Sequence, residues 1–213
     1  MKRLLLVLSA PSGGGKTTIA KKLLQDRDDL GYSVSATTRA TRNGEQEGVD
    51  YHFLGRAEFE RRLKNGEFLE WAEYGSQLYG TLKSEVDRIF RQGRHAVLDI
   101  EIEGARQIRQ NFSNSLQVFV LPPSAEVLVE RLMGRNTENP ELLRKRLIRA
   151  ADELAAVAEY DYAVVNEDLD RAVRQIAAIL DGKAEDQLVS RQRRLPALVE
   201  QLRRDVVKAA GKI

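Results

Sequence analysis

Residues Ala10-Pro11-Ser12-Gly13-Gly14-Gly15-Lys16-Thr17-Thr18 set three glycines directly before a lysine and two hydroxyls, just behind the aliphatic run Leu4–Leu8. Phosphate oxygens need several donors converging at once. Glycine lets the backbone curl until successive N–H groups point inward, and the N-terminus of a following helix adds positive potential. In such a loop Lys16 reaches the β- and γ-phosphates and the hydroxyl of Thr17 ligates Mg²⁺. The full pattern asks for glycine at the first position, where this chain has Ala10. An ordinary glycine-rich turn is the alternative. The strand-loop-helix setting and the intact Gly15-Lys16-Thr17 favour a nucleoside triphosphate.

Lys16 and Thr17 must be carried by a buried strand and a helix, and the chain supplies both. Leu4–Leu8 is continuously aliphatic, as a parallel strand covered on both faces should be. Further strands are expected at Ala96–Ile100, Leu116–Leu121 and Tyr162–Val165. Helices are expected at Thr17–Leu24, Ser84–Arg91, Gly104–Gln110, Ala125–Met133, Glu141–Glu159 and Leu169–Leu180. Ser124 is placed to cap one helix, with Glu126 in its first turn; Asn139 is placed to cap another, with Pro140 at its first position. Strand and helix in alternation predict an α/β fold with a parallel sheet.

Residues 32–82 interrupt that alternation. They hold short strand-like pieces (Tyr32–Ala36, Asp50–Phe53, Phe68–Tyr74), a short helix near Ala57–Asn65 and several glycine turns, which predicts a small lobe inserted in the core. One domain is expected over 1–213, with core 1–31 and 83–185, lobe 32–82 and a helical tail at 186–213. In the tail, Leu195, Leu198, Leu202 and Val206 share a helical face interrupted by Pro196, and the remaining face is basic. A docking helix with a solvated face is the simpler reading of it.

The 213 residues are 42% hydrophobic and 31% charged with a net charge of +2, the profile of a globular protein with no bulk attraction to nucleic acid. No cysteine is present, which excludes disulfides, thiolate zinc sites and a cysteine nucleophile and fits a reducing cytoplasm. No apolar run approaches the roughly 20 residues of a membrane span. His52 and His95 lack the spacing of a metal site; a structural role beside Tyr51 and a strand start are expected for them.

The segments SVSATTRATRNGEQEGVDYHF, GEFLEWAEYGSQLYGT, VLDIEIEGA, RLMGRNTENPELLRKRLIRAADEL and VVNEDLD together resemble the guanylate kinase family from about residue 4 to about residue 180. LVSRQRRLPALVEQL also looks like the tail of bacterial members. The resemblance implies a P-loop NTPase core, an α+β lobe for GMP, a helical arginine-bearing lid at about 134–150, and transfer of the γ-phosphoryl of ATP to GMP.

Residue by residue, it implies that Ser35, Arg39, Arg42, Tyr51 and Tyr79 hold the GMP phosphate. Arginine forks and tyrosine hydroxyls suit a dianion, although TTRATR taken alone is a polar surface turn. Glu70 matches the carboxylate that reads guanine, whose N1–H and amino group are adjacent donors; adenine presents an acceptor at N1. Thr81 matches a hydroxyl on the base, and Glu101 an acidic position where many relatives have aspartate. Glu103 stands where glutamine is common. Asp99, at a strand end, would orient Mg²⁺ through water, or merely cap the strand. Arg135 and Arg146 match lid arginines that close over the phosphates; Arg131 and Arg149 lie beside them. Asn166 and Asp168 resemble residues near the ATP base. The expected partners are thus ATP and GMP, with no nucleic acid or membrane, and a homo-oligomer is left open. Two rivals are a kinase of another monophosphate and a non-catalytic guanylate-kinase-like binding module. The intact P-loop speaks against the second.

Overall fold

A computed structural model describes residues 3–134, 140–184 and 195–213. Nine strands are described: β1 Leu5–Ser9, β2 Leu30–Tyr32, β3 Ser35–Thr37, β4 His52–Phe53, β5 Phe68–Tyr74, β6 Gln77–Leu82, β7 His95–Asp99, β8 Ser115–Leu121 and β9 Tyr162–Val165. The helices are α1 Lys16–Asp26, α2 Arg56–Lys64, α3 Lys83–Arg91, α4 Ile102–Asn111, α5 Ala125–Met133, α6 Pro140–Leu154 and α7 Leu169–Leu180. A final helix, α8, spans Leu195–Ala210, and a 3₁₀ turn covers Ala155–Glu159. The chain is mixed α/β, with one sheet ordered β2-β7-β1-β8-β9 and a second ordered β4-β3-β6-β5. In the first, β2 runs parallel to β7 and β8 parallel to β9. Every residue of β1 is buried, as its unbroken aliphatic run requires.

Cα packing divides the chain into two compact units, Met1–Val7 with Leu24–Leu116, and Leu8–Leu23 with Gln117–Ile213. Within the first, residues 30–37 depart from expectation. The single strand-like piece expected at Tyr32–Ala36 is two strands, one in each sheet. Ser33 N–H donates to the Val97 carbonyl at 3.0 Å, ending the β2 pairing before the chain enters β3. Gly31 admits α3 against β2, since a Cβ there would lie 2.7 Å from Ile89 Cγ2.

Strand β6 was not anticipated, because QLYGTL shows no sustained alternation. It forms a hairpin with β5 through Gly75 and Ser76, both at positive φ (55° and 67°), the backbone that tight two-residue hairpins need. Alternation then sorts its side chains. Leu78 and Leu82 join Ala36, Phe59 and Phe68 in an apolar cluster capped by Leu54 and Leu63, while Tyr79 and Thr81 lie on the opposite face. Gly80 makes room for the Phe68 ring, 2.8 Å from where a Cβ would stand.

In the second unit, the helix expected over Glu141–Glu159 is shorter and tightens into the 3₁₀ turn at Ala155. Ser124 caps α5 as expected, its Oγ accepting from Val127 N at 3.3 Å. Asn139 lies outside the described residues. Helix α8 packs on α6, α5 and the 3₁₀ turn. Its buried face is Val199, Leu202, Val206 and Ala210, with Leu198 37% exposed. Pro196 sits in its first turn, where a missing N–H costs nothing, and so does not interrupt it.

Candidate functional site

The glycine loop lies in the second unit between the end of β1 and α1, and Lys16 is the first helical residue. Lys16 is partly buried; Thr17 and Thr18 are exposed on the same turn. Gly13 and Gly15 take φ of +84° and +91°, which side-chain-bearing residues avoid. Gly14 N–H donates to Pro11 O at 2.8 Å, closing the turn. Gly14 also explains Ala10: a Cβ on Gly14 would lie 2.7 Å from that of Ala10, so the buried methyl group fits because its neighbour has none.

The loop is braced from behind. Asn166 Nδ2 donates to the Gly14 carbonyl at 3.1 Å and Arg131 Nη1 does so at 3.4 Å, while Arg131 Nη2 reaches Asn166 O at 3.3 Å. Ser12 N–H donates to Glu153 Oε2 at 2.9 Å, and Glu153 Oε1 accepts from Arg149 Nε at 2.8 Å. Asp168 caps α7 by accepting from Arg171 N at 2.7 Å. Arg146 lies on α6; Arg135 is outside the described residues.

The acceptor candidates lie in the first unit. Register sets Ser35 opposite Thr81 and Thr81 opposite Glu70, across β3, β6 and β5. Directly opposed residues share a sheet face, so the three groups form one row, with Tyr79 two residues along β6 on that face. Thr81 Oγ1 donates to Glu70 Oε1 at 2.6 Å, and Glu70 is only 5% exposed. A bulge between Phe68 and Glu70 aims the carboxylate. Its Oε2 lies over Gly104 of α4, where a Cβ would fall 2.9 Å from Glu70 Cδ and closer still to Oε2.

Arg39 lies over the Tyr51 ring, 5.2 Å from its centroid, and Tyr51 meets Tyr79 edge-on at 6.1 Å. Glu45 holds the Arg39 fork in two bonds, Nη1 to Oε2 at 3.0 Å and Nη2 to Oε1 at 2.7 Å, and accepts Arg42 N–H at 2.8 Å. These bonds raise the pKa of Arg39 and hold the Glu45 carboxyl below the usual carboxylate range. The Arg42 side chain is exposed on the same turn. Asp99 ends β7, and Glu101 occupies the N-cap position of α4 with its side chain exposed and not capping.

His52 Nδ1 meets Glu47 Oε1 at 3.1 Å, and its Nε2 lies 3.5 Å from Glu85 Oε1. His95 Nδ1 accepts from Leu4 N–H at 3.0 Å. Both histidines thus have structural partners.

A family model described as guanylate kinase matches residues 2–183. The guanylate kinase of Paramagnetospirillum magneticum is 48% identical over 201 residues, covering 94% of this chain and 93% of that one. The chain belongs to the guanylate kinase family. The guanylate kinase of Symbiobacterium thermophilum is 45% identical over 179 residues, covering 84% and 85% of the two chains. The crystal structure of guanylate kinase from Anaplasma phagocytophilum matches with a TM-score of 0.68 at 34% identity, covering 85% of this chain and 86% of that one.

Within this guanylate kinase fold, three residues near the two sites were not anticipated. Glu45 pairs with Arg39, Gly104 accommodates Glu70, and Gln107 binds the backbone beside Glu70. Only Glu45 left a trace in the sequence, as an acid six residues beyond Arg39 in an otherwise basic turn.

Proposed function

We propose that this chain transfers the γ-phosphoryl group of ATP to GMP, giving ADP and GDP. The observation that carries the reading is the buried Glu70 carboxylate, aligned by Thr81 on the polar face of the small sheet. Ionised, it accepts from the adjacent N1–H and amino group of guanine, and it repels the N1 acceptor of adenine. A site built to pair with two donors discriminates strongly against a base that lacks them.

Arg39, Arg42, Ser35, Tyr51 and Tyr79 supply cationic and neutral donors for the acceptor phosphate, and Glu101 is assigned to the edge of the base. On the donor side, Ala10 to Gly15 present backbone N–H groups, Lys16 meets the terminal phosphates, and Thr17 and Thr18 open the helix. Thr17, exposed on the first turn of α1, carries the oxygen donor that a hard cation takes. Mg²⁺ takes most of its ligands from phosphate and water and needs few from the protein. Thr17 would hold that Mg²⁺ directly and Asp99 through water, and the ion would neutralise charge on the phosphates. Arg135 and Arg146 are assigned to charge stabilisation on the transferring group. A GMP phosphate oxygen is already nucleophilic, so no side-chain base is required. Positioning and charge stabilisation then do the catalysis, with roughly 7–11 kcal/mol available from orientation. The cysteine-free composition supports a cytoplasmic setting, and no described helix is long and apolar enough to cross a membrane.

A coupled assay of ADP formation with GMP, AMP, UMP and dTMP tests the reading. GMP alone should turn over efficiently; equal turnover of AMP would overturn it.

A further inference from the structure

Strand β5 is an edge strand of the four-stranded sheet, with β6 on one side only. At Trp71, the residue after Glu70, its outer edge is met by a side chain. Gln107 Oε1 accepts from Trp71 N–H at 3.1 Å, and Gln107 Nε2 donates to the Trp71 carbonyl at 2.7 Å. One amide thus uses both its acceptor and a donor on a single residue's backbone, as a neighbouring strand would.

Gln107 lies on α4, three residues after Gly104, and residues at that spacing share a helix face. The same face of α4 therefore makes two contacts with consecutive residues of β5. Gly104 receives the Glu70 carboxylate, and Gln107 grips the Trp71 main chain. The ladder to β6 shifts register between Phe68 and Glu70, so just past the bulge the strand is held by β6 on one edge and by α4 on the other.

We infer that Gln107 is a positioning residue for base recognition: by clamping Trp71 it fixes the depth and direction of the Glu70 carboxylate relative to Thr81. The inference rests on the reading of Glu70 as the guanine-recognising group. The Gln107 amide is engaged with the Trp71 main chain, so its effect on the base runs through β5. Its loss should act on the acceptor and its base, and leave ATP alone.

The experiment compares Gln107→Met, which keeps length but removes donor and acceptor, with Gln107→Glu, which keeps only the acceptor. KM for GMP and ATP, kcat, the kcat/KM ratio of GMP over IMP (which lacks the amino group), and Tm are measured in each. Gln107→Met should raise KM for GMP about tenfold, equivalent to about 1.4 kcal/mol. The GMP-over-IMP ratio should fall by a similar factor, with KM for ATP within twofold and kcat reduced less than threefold. Gln107→Glu should fall between it and the parent. In a Glu70→Gln background, Gln107→Met should add less than twofold.

An unchanged KM for GMP in Gln107→Met overturns the inference, as does a parallel rise in KM for ATP or full additivity with Glu70→Gln. If Gln107→Met does not fold, an unchanged KM for GMP in Gln107→Glu overturns it equally. Glu70→Gln separates the two levels. If that variant keeps its preference for GMP, the parent reading falls and this inference with it. If it loses the preference while Gln107→Met behaves as wild type, only the role of Gln107 falls.

Discussion

Glu70 and Gly104 occupy one space: the carboxylate of the first lies where a Cβ of the second would be. Gly104→Ala therefore sets two effects against each other. Alanine in a helix gains up to about 1 kcal/mol over glycine, while the methyl group displaces the flexible end of a glutamate. The fold should survive with Tm unchanged or raised, and KM for GMP should rise at least about tenfold. Thermal melts beside initial-rate kinetics check this; a wild-type KM would show that the carboxylate has nowhere particular to be.

Glu70→Gln replaces one acceptor oxygen with a donor at almost constant shape. The GMP-over-AMP ratio of kcat/KM should drop by about 100-fold or more, mainly through loss of GMP. Selectivity that survives in a side-by-side assay removes Glu70 from base reading.

Lys16→Ala removes the cation from the donor loop at a partly buried position. Phosphoryl transfer should fall by about 10³-fold or more, with Tm little changed. Near-normal turnover would dismantle the donor half of the mechanism.

Asn166 is 6% exposed and donates to the Gly14 carbonyl. Asn166→Ala should cost about 0.5–1.5 kcal/mol of stability, the usual net worth of one hydrogen bond, since Arg131 Nη1 still donates to the Gly14 carbonyl. KM for ATP should rise several-fold and KM for GMP should not. A selective rise in KM for GMP would contradict this assignment.

Several carboxylates are held below their ordinary range. Hydrogen bonds from Arg61 and Arg62 lower Glu58 from 4.5 to about 2, and Arg39 lowers Glu45. Burial pushes Glu85 up, but Arg88, the Val34 N–H and His52 outweigh it, so its net shift is downward. Because these folded-state values lie below the unfolded ones, the stabilisation is present above about pH 4.5. It is lost progressively as pH falls towards about 2. Tm should be flat with respect to these groups from pH 6 to 8 and decline below about pH 4.5, the exposed pairs contributing little. A Tm that holds steady down to pH 3 would rule out this linkage.

The donor loop and the α/β alternation were legible because both are local: a contiguous motif, and aliphatic runs long enough to show their period. Strands β2 and β3 were merged because three-residue strands carry no period, and the switch between sheets at Ser33 rests on pairing with Val97, far along the chain. Pro196 read as a break but begins α8, since its effect depends on whether a helix precedes it. The resemblance singled out Glu70, Thr81, Arg39 and the tyrosines; register sets Thr81 opposite Glu70 with Tyr79 on the same face, while Arg39 and Tyr51 join through ring contacts. Gln107 was illegible for another reason. Its partner is 36 residues away and is main chain, so no residue type at position 71 could have announced the contact.

The brace behind the glycine loop bears on how quickly a nucleotide is captured. A trans peptide is planar, so with the Gly14 carbonyl tethered by Asn166 and Arg131, the Gly15 N–H of the same unit points the opposite way. A loop tethered like this has few alternative shapes to surrender when phosphate arrives. Donor capture should then approach docking onto a rigid mould, with its rate governed by encounter more than by wrapping of the loop.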